Sequence, residues 1–327
     1  MTANKHLKQL VRARMARTGE SYAAARRHVI GQPSSVALTD VYTIDAHGRH
    51  GQTVAFSPDG ALLASGGQDA AVRFWNPVDG VAAFALEGHD KIVNDVLLLD
   101  GDTTVSASSD RTVRVWDTRA RVLRLTLDGH RDAVTALAGV PGGHIVVSGG
   151  YDGRLRWWDV SSGACLHEIR TGLRRIADLA AVPSTGHVLA AGSGGEVVVH
   201  DLASGDDAGR FDTGAPGVVG LAISPDGAVV AAAGYDGAVT LWAAPGWEPL
   251  RRVDVGARAS AVDISADGRL LAAAWDHHVG VWTLDADAPA VAEKLSIKGV
   301  YAVAFSPDGR RLAQTGADGR VRCWRLR

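Results

Sequence analysis

The chain is predicted to be all-β and built from seven copies of one four-stranded unit. Three observations predict this: tryptophans at near-constant spacing, an aspartate at a fixed distance before each, and 39 glycines spread over 327 residues without a collagen-like period. The tryptophans are Trp75, Trp116, Trp158, Trp242, Trp282 and Trp324, with His200 in the one gap, so successive positions lie 41, 42, 42, 42, 40 and 42 residues apart. Six residues before them stand Asp69, Asp110, Asp152, Asp236, Asp276 and Asp318, with Gly194 in the fourth copy.

Each copy reads as four short strands divided by turns. Val54–Phe56 alternates, and Ser57-Pro58-Asp59-Gly60 then reverses the chain, because proline presets φ and glycine accepts positive φ. The same device recurs at Ser224–Gly227 and Ser306–Gly309. A second apolar run such as Ala61–Ala64 leads to the aspartate turn, often Asp-Gly, which favours a tight hairpin. The strand ending at the tryptophan follows. A fourth, such as Ala83–Leu86, runs to a Gly-His pair, Gly88-His89 or Gly129-His130.

With this repeat length and these landmarks, residues 41–327 resemble the WD40 family. The resemblance implies a seven-bladed β-propeller used as a binding scaffold. It also implies a hydrogen-bonded relay in the first three blades, from the tryptophan through serine and histidine to the aspartate. Its members are His47, Ser65, Asp69 and Trp75; His89, Ser106, Asp110 and Trp116; and His130, Ser148, Asp152 and Trp158. Such a relay pairs polar groups that would each cost roughly 1–3 kcal/mol if buried alone. His, Ser and Asp together also spell a hydrolytic triad, but a triad occurs once, beside an oxyanion hole, and this set occurs three times at structural spacing. Only one histidine per repeat is positioned alike, so no metal, cofactor or catalytic residue is assigned. In the last four repeats Gly172, Gly214, Val255 and Ser296 replace the histidine, and Ala190, Ala232, Ala272 and Gln314 replace the serine. Those blades are expected to rely on packing.

The last repeat ends at its third strand, whereas Val41–His47 aligns with Ala83–His89 as a fourth strand lacking its first three. Residues 41–45 are therefore expected to complete the seventh blade and close the ring, removing an exposed edge.

Partners of such propellers most often use the face carrying the aspartate turns and the loops between blades. Tyr151, Tyr235 and Trp275 precede their aspartates there, and Arg49, Lys91, Arg131, Arg174, Arg175, Arg258 and Lys298 lie on the inter-blade loops. The expectation is a basic face with aromatic anchors for a protein or peptide partner, acidic or phosphorylated in character. Arg73, Arg114, Arg156 and Arg322, two residues before their tryptophans, read as a structural register whose charges reach solvent or a turn acid. The adjacent His277 and His278 should point to opposite faces and so not share a metal.

The domain reading is a basic helical hairpin over 1–32, a linker over 33–40 and the ring over 41–327. Residues 1–30 carry about +6 of a chain whose net charge is −2, with Leu7, Leu10 and Val11 on one helical face. That short α-helical extension is expected to dock on a protein; association with nucleic acid, as a regulator, and resting on an anionic membrane through its small apolar face are the alternatives. A propeller enzyme, hydrolase-like, is the alternative from another class, although no repeat supplies a singular cluster of ligands or carboxylates. No stretch approaches the ~18 apolar residues of a transmembrane helix, and the N-terminus lacks a secretory core. Two cysteines in different repeats, Cys165 and Cys323, speak for buried thiols in a reducing compartment. A cytoplasmic, monomeric ring follows, and the arginine- and alanine-rich composition points to a bacterial source.

Overall fold

The computed structural model describes residues 36–139, 143–182, 185–284, 291–294 and 299–327. The extension over residues 1–32 lies outside the described residues, as does Lys298. Seven four-stranded antiparallel sheets form the blades. Blade 1 comprises β2 (Gly51–Phe56), β3 (Leu63–Gly67), β4 (Val72–Trp75) and β5 (Ala82–Leu86), paired in chain order from the channel outward. Blades 2 to 6 repeat this order over 93–127, 134–170, 176–212, 218–254 and 259–294.

Burial follows position. All of β3 is buried, because the middle strands are covered on both faces by neighbouring blades, while the outermost strand of blade 3, Cys165–Arg170, alternates between exposed and half-buried. Cys165, on that outer strand, is exposed, contrary to the expected buried thiol, and Cys323 is buried. The core is therefore divided among the inter-blade interfaces. Phe74 and Leu86 of blade 1, for example, share one apolar cluster with Val93, Val96 and Trp116 of blade 2.

The Ser-Pro-Asp-Gly turns close locally. Ser57 Oγ donates to Asp59 Oδ1 at 2.6 Å and accepts from the Leu62 N–H at 2.9 Å, while Gly60 adopts φ of +70°. Ser224, Ser306 and also Ser265, in Ser-Ala-Asp-Gly, make the same bond to their aspartates.

Blade 7 takes three strands from Val300–Phe305, Arg311–Gly316 and Arg320–Leu326, and its fourth from β1 (Leu38–Asp45). The closing strand starts three residues earlier than its alignment with Ala83–His89 placed it. Its register runs from Leu38 opposite Leu326 to Asp45 opposite Arg320, with a bulge between Asp40 and Tyr42. Ala37 and Arg327 exchange backbone bonds at 3.0 and 3.1 Å just beyond it. Tyr42 reaches past its own blade and donates to the Pro77 carbonyl of blade 1 at 3.2 Å.

Candidate functional site

Two sets of side chains bear on function: the buried relays that shape the loops, and the face those loops form. In blade 3 the Trp158 indole N–H, which can only donate, lies 2.8 Å from Ser148 Oγ. Ser148 Oγ is 2.7 Å from His130 Nε2, and His130 Nδ1 is 3.0 Å from Asp152 Oδ2. One direction of donation satisfies every link: indole to serine, serine to histidine, histidine to carboxylate. Blade 1 repeats it through Trp75, Ser65, His47 and Asp69 at 3.0, 2.9 and 2.7 Å, and blade 2 through Trp116, Ser106, His89 and Asp110 at 2.8, 2.8 and 2.7 Å. Burial alone would raise the Asp69 carboxyl, but the His47 ring and Arg73 guanidinium hold it down at about 2. Asp110 and Asp152 are held lower still against the same burial, by His89 with Thr112 and by His130 with the Arg131 N–H. Ser65, Ser106 and Ser148 are fully buried and already accept an indole N–H, so none is placed to attack a substrate.

The Gly-His pair has a packing reason as well. A Cβ on Gly88 would stand 2.4 Å from the Arg114 guanidinium, which lies over the Trp116 ring at 6.0 Å. The other arginines of this register reach turn acids, Arg73 to Asp69 at 2.8 Å, Arg156 to Asp152 at 3.3 Å and Arg322 to Asp318 at 2.5 Å, and Arg156 also meets Glu168 on the adjacent outer strand at 2.9 Å.

The later blades lack the full relay. Thr171 and Thr213, next to Gly172 and Gly214, tie the loops by donating to Gly153 O and Gly195 O at 3.1 and 2.7 Å, a substitution the repeat alignment did not reveal. The indole N–H groups of Trp242 and Trp282 are buried without a hydrogen-bond partner among the described residues. Ala232 occupies the serine position in blade 5. In blade 6 that position belongs to Ala273, which faces Val262 and Gly280 as Ser148 faces Leu137 and Arg156, and not to Ala272.

The same one-residue slip moves Trp275. It faces Ala259 and His278, as Gly150 faces Val134 and Gly234 faces Val218, so its counterpart is a glycine and not Tyr151 or Tyr235. The cause is a hairpin one residue shorter, turning at Asp276-His277 with Asp276 at φ of +45°. The Trp275 ring stacks on His278 at 5.4 Å and leans on Trp282 at 5.6 Å, against an apolar cluster it shares with Val255. Blade 6 thus carries an aromatic stack where the first three carry a relay.

Around the channel mouth the structure brings together Tyr151, Tyr235 and Arg258, with Asp276, Tyr301 and Asn94, in a cavity of about 590 Å³. Tyr151 and Tyr235 are each 42% exposed. The Arg175 guanidinium lies 4.9 Å from the Tyr151 ring centre and that of Arg258 lies 3.9 Å from the Tyr235 ring centre. Arg49, Lys91, Arg131 and Arg174 are exposed on the inter-blade loops without lining the cavity. The rim is not uniformly basic: Asp90 and Asp132 are exposed on those loops, and Asp212 and Asp254 are exposed at the strand ends that lead into them.

Most of the missed lining residues share one position, the bulge of each innermost strand, where Asn94, Ala177, Ser260 and Tyr301 turn toward the channel. Tyr301 also stacks on His50 at 6.0 Å. Deeper down, three half-buried carboxylates cross between blades. Asp95 accepts from Leu137 N at 2.8 Å and Thr53 Oγ1 at 3.0 Å, Asp178 from Leu221 N at 2.7 Å, and Asp263 from Phe305 N at 2.6 Å. Burial pushes them up to about 6, 7 and 7, with the Asp95 charge adding to Asp178. Among the described residues no three His, Cys, Asp or Glu side chains gather as a metal would require. No helix among them is long and apolar enough to cross a membrane.

Seven four-stranded blades, three of them with a buried indole relay, define a repeat propeller. Residues 38–76, 80–117, 121–159, 210–243 and 295–325 match the family described as WD domain, G-beta repeat. These segments make up more than half of the chain, and the protein belongs to the WD40 family. The unmatched stretches contain blade 4, with His200 in place of tryptophan, and blade 6, with its shortened hairpin. The chain is 42% identical over 50 residues to small ribosomal subunit protein RACK1z of Arabidopsis thaliana and, equally, to RACK1 of Brassica napus, covering 15% of each chain compared. It is 35% identical over 72 residues to Periodic tryptophan protein 2 of Arabidopsis thaliana, covering 20% of this chain and 8% of that one. The match thus spans well under a fifth of each relative's length. All three are plant proteins and lend no support to the bacterial source that the composition suggests.

Proposed function

We propose that the protein is a non-catalytic interaction scaffold that holds a partner protein at the channel mouth through a short acidic segment. The observation that carries this reading is the pair of arginine-on-tyrosine contacts, Arg175 with Tyr151 and Arg258 with Tyr235, beside one open cavity. The few residues that dominate binding energy in protein interfaces are enriched in tyrosine, tryptophan and arginine, and a guanidinium lying over an aromatic ring retains N–H groups that can meet a carboxylate or phosphate. The cavity is of a size that admits a few residues of a peptide. The ring closed on its own β1 supports action as a monomer, and two unpaired cysteines agree with a cytoplasmic setting.

The test is quantitative affinity capture on the full chain and on a Tyr151→Ala, Tyr235→Ala, Arg258→Ala variant with unchanged melting temperature. Proteins recovered by the parent should be lost from the variant. Equal recovery of the same proteins by both would remove this face from the function.

A further inference from the structure

The cavity wall has two chemically distinct arcs. Blades 1 to 3 present Gln52, Asn94 and Thr135, whereas blades 4 and 5 present Ala177 and Val219 at the same bulge, flanked by Tyr151 and Tyr235. The apolar arc is fixed in place. Tyr235 lies against the backbone of Gly217, where a Cβ would approach its ring to 2.9 Å, and Arg258 covers the ring at 3.9 Å. Neither Arg175 nor Arg258 forms an ion pair within the described residues, whereas Arg73, Arg156, Arg252, Arg320 and Arg322 each do. Two uncompensated guanidiniums, each lying over a tyrosine ring, therefore bracket an apolar opening that leads into the channel.

Resting on the scaffold reading, we infer that the occupant is an extended peptide with one aliphatic side chain between acidic residues. The aliphatic group enters the mouth against Ala177 and Val219, and the flanking carboxylates engage Arg175 and Arg258. A planar carboxylate matches the fork of one guanidinium, whereas a phosphate dianion is best held by several cations at once. Each platform here offers one arginine, and Asp276 shares the same wall, which opposes a doubly charged group. The polar arc is left to the peptide backbone, whose N–H and C=O groups need partners once water is displaced.

The test is fluorescence anisotropy on the full chain with a labelled GEELEEG peptide. Saturable binding is expected. Serine in place of the leucine should weaken it about tenfold or more, as should glutamine in place of the glutamates. Arg175→Ala and Arg258→Ala should each weaken it about tenfold and Val219→Asp should remove it, while Arg310→Ala, on a turn at the opposite end of blade 7, leaves it unchanged. Variants are compared only where their melting temperature matches the parent. Equal affinity for the serine peptide would refute the aliphatic insertion. A phosphoserine-for-glutamate peptide that binds more than tenfold tighter would overturn the carboxylate assignment. Absence of binding to GEELEEG, with face-dependent protein capture intact, would refute this peptide class and leave the scaffold reading standing.

Discussion

His130 Nε2 and Ser148 Oγ stand 2.7 Å apart at the centre of blade 3, and the same serine oxygen receives the Trp158 indole. One hydroxyl thus joins a group that can only donate to one that must accept. Ser148→Ala leaves both unpaired in a fully buried site and should destabilise the protein by about 1–3 kcal/mol in denaturant unfolding. Adding His130→Ala should cost much less than the sum of the single effects, because the partners share one chain of bonds. Strict additivity would show that the relay does not act as a unit.

Blade 6 offers the reverse experiment. Trp282 has a buried indole N–H with no partner among the described residues, and Ala273 occupies the place of the serine. Ala273→Ser should supply an acceptor and stabilise the ring by about 0.5–1 kcal/mol. Ala272→Ser, at the position named by tryptophan spacing, should give no such gain. A gain from Ala272→Ser alone would contradict the strand register.

The pH response should have two opposing parts. Asp95, Asp178 and Asp263 are raised above the unfolded value of 3.8, so their ionised forms oppose folding; the penalty is full above about pH 7 and shrinks as pH falls toward 4. Asp69, Asp110 and Asp152 are lowered, so their contribution is full above the unfolded value and is lost as pH falls through their folded values, at about 2 for Asp69. Stability should therefore peak between about pH 4 and 6, with a melting temperature about 2–5 °C higher at pH 5.5 than at pH 8. Asp178→Asn should flatten that slope, and a slope unaltered in this variant would assign the response to other groups.

Ring closure is testable against a surface control. Removing residues 38–45 exposes the edge of Arg320–Leu326 and should lower the melting temperature by roughly 10 °C or more, with aggregation. Asp45→Ala removes only a solvent-exposed contact with Arg320 and should leave it within about 1 °C.

The repeat, its turns and its closure were legible because they are written in short, local signals: a turn chemistry at a fixed offset, a periodic indole, a surplus strand at one end. The position of Trp275 was not. Spacing measured from Trp282 hides a deletion inside the hairpin, although the 40-residue interval from Trp242 recorded that blade 6 is short. The cavity wall was legible only in part. Tyr151 and Tyr235 sit on turns that the aspartates mark, whereas Tyr301 and Asn94 sit on bulges, which alternation of apolar residues does not announce. The acids of the rim stand beside its bases in the sequence, as Asp90-Lys91 and Arg131-Asp132, and offset them.

The closing pair also fixes how the ring responds to load. Leu38 and Leu326 are partners, and Ala37 and Arg327 are bonded to each other at the end away from the channel mouth. Tension applied through residues 37 and 327 would part the two strands from that end, breaking their bonds one after another like a zip. Load applied between the mouth and residue 327 would instead reach many of those bonds together. An anchorage on the far face would make this propeller mechanically soft, and a grip on its mouth would make it comparatively stiff.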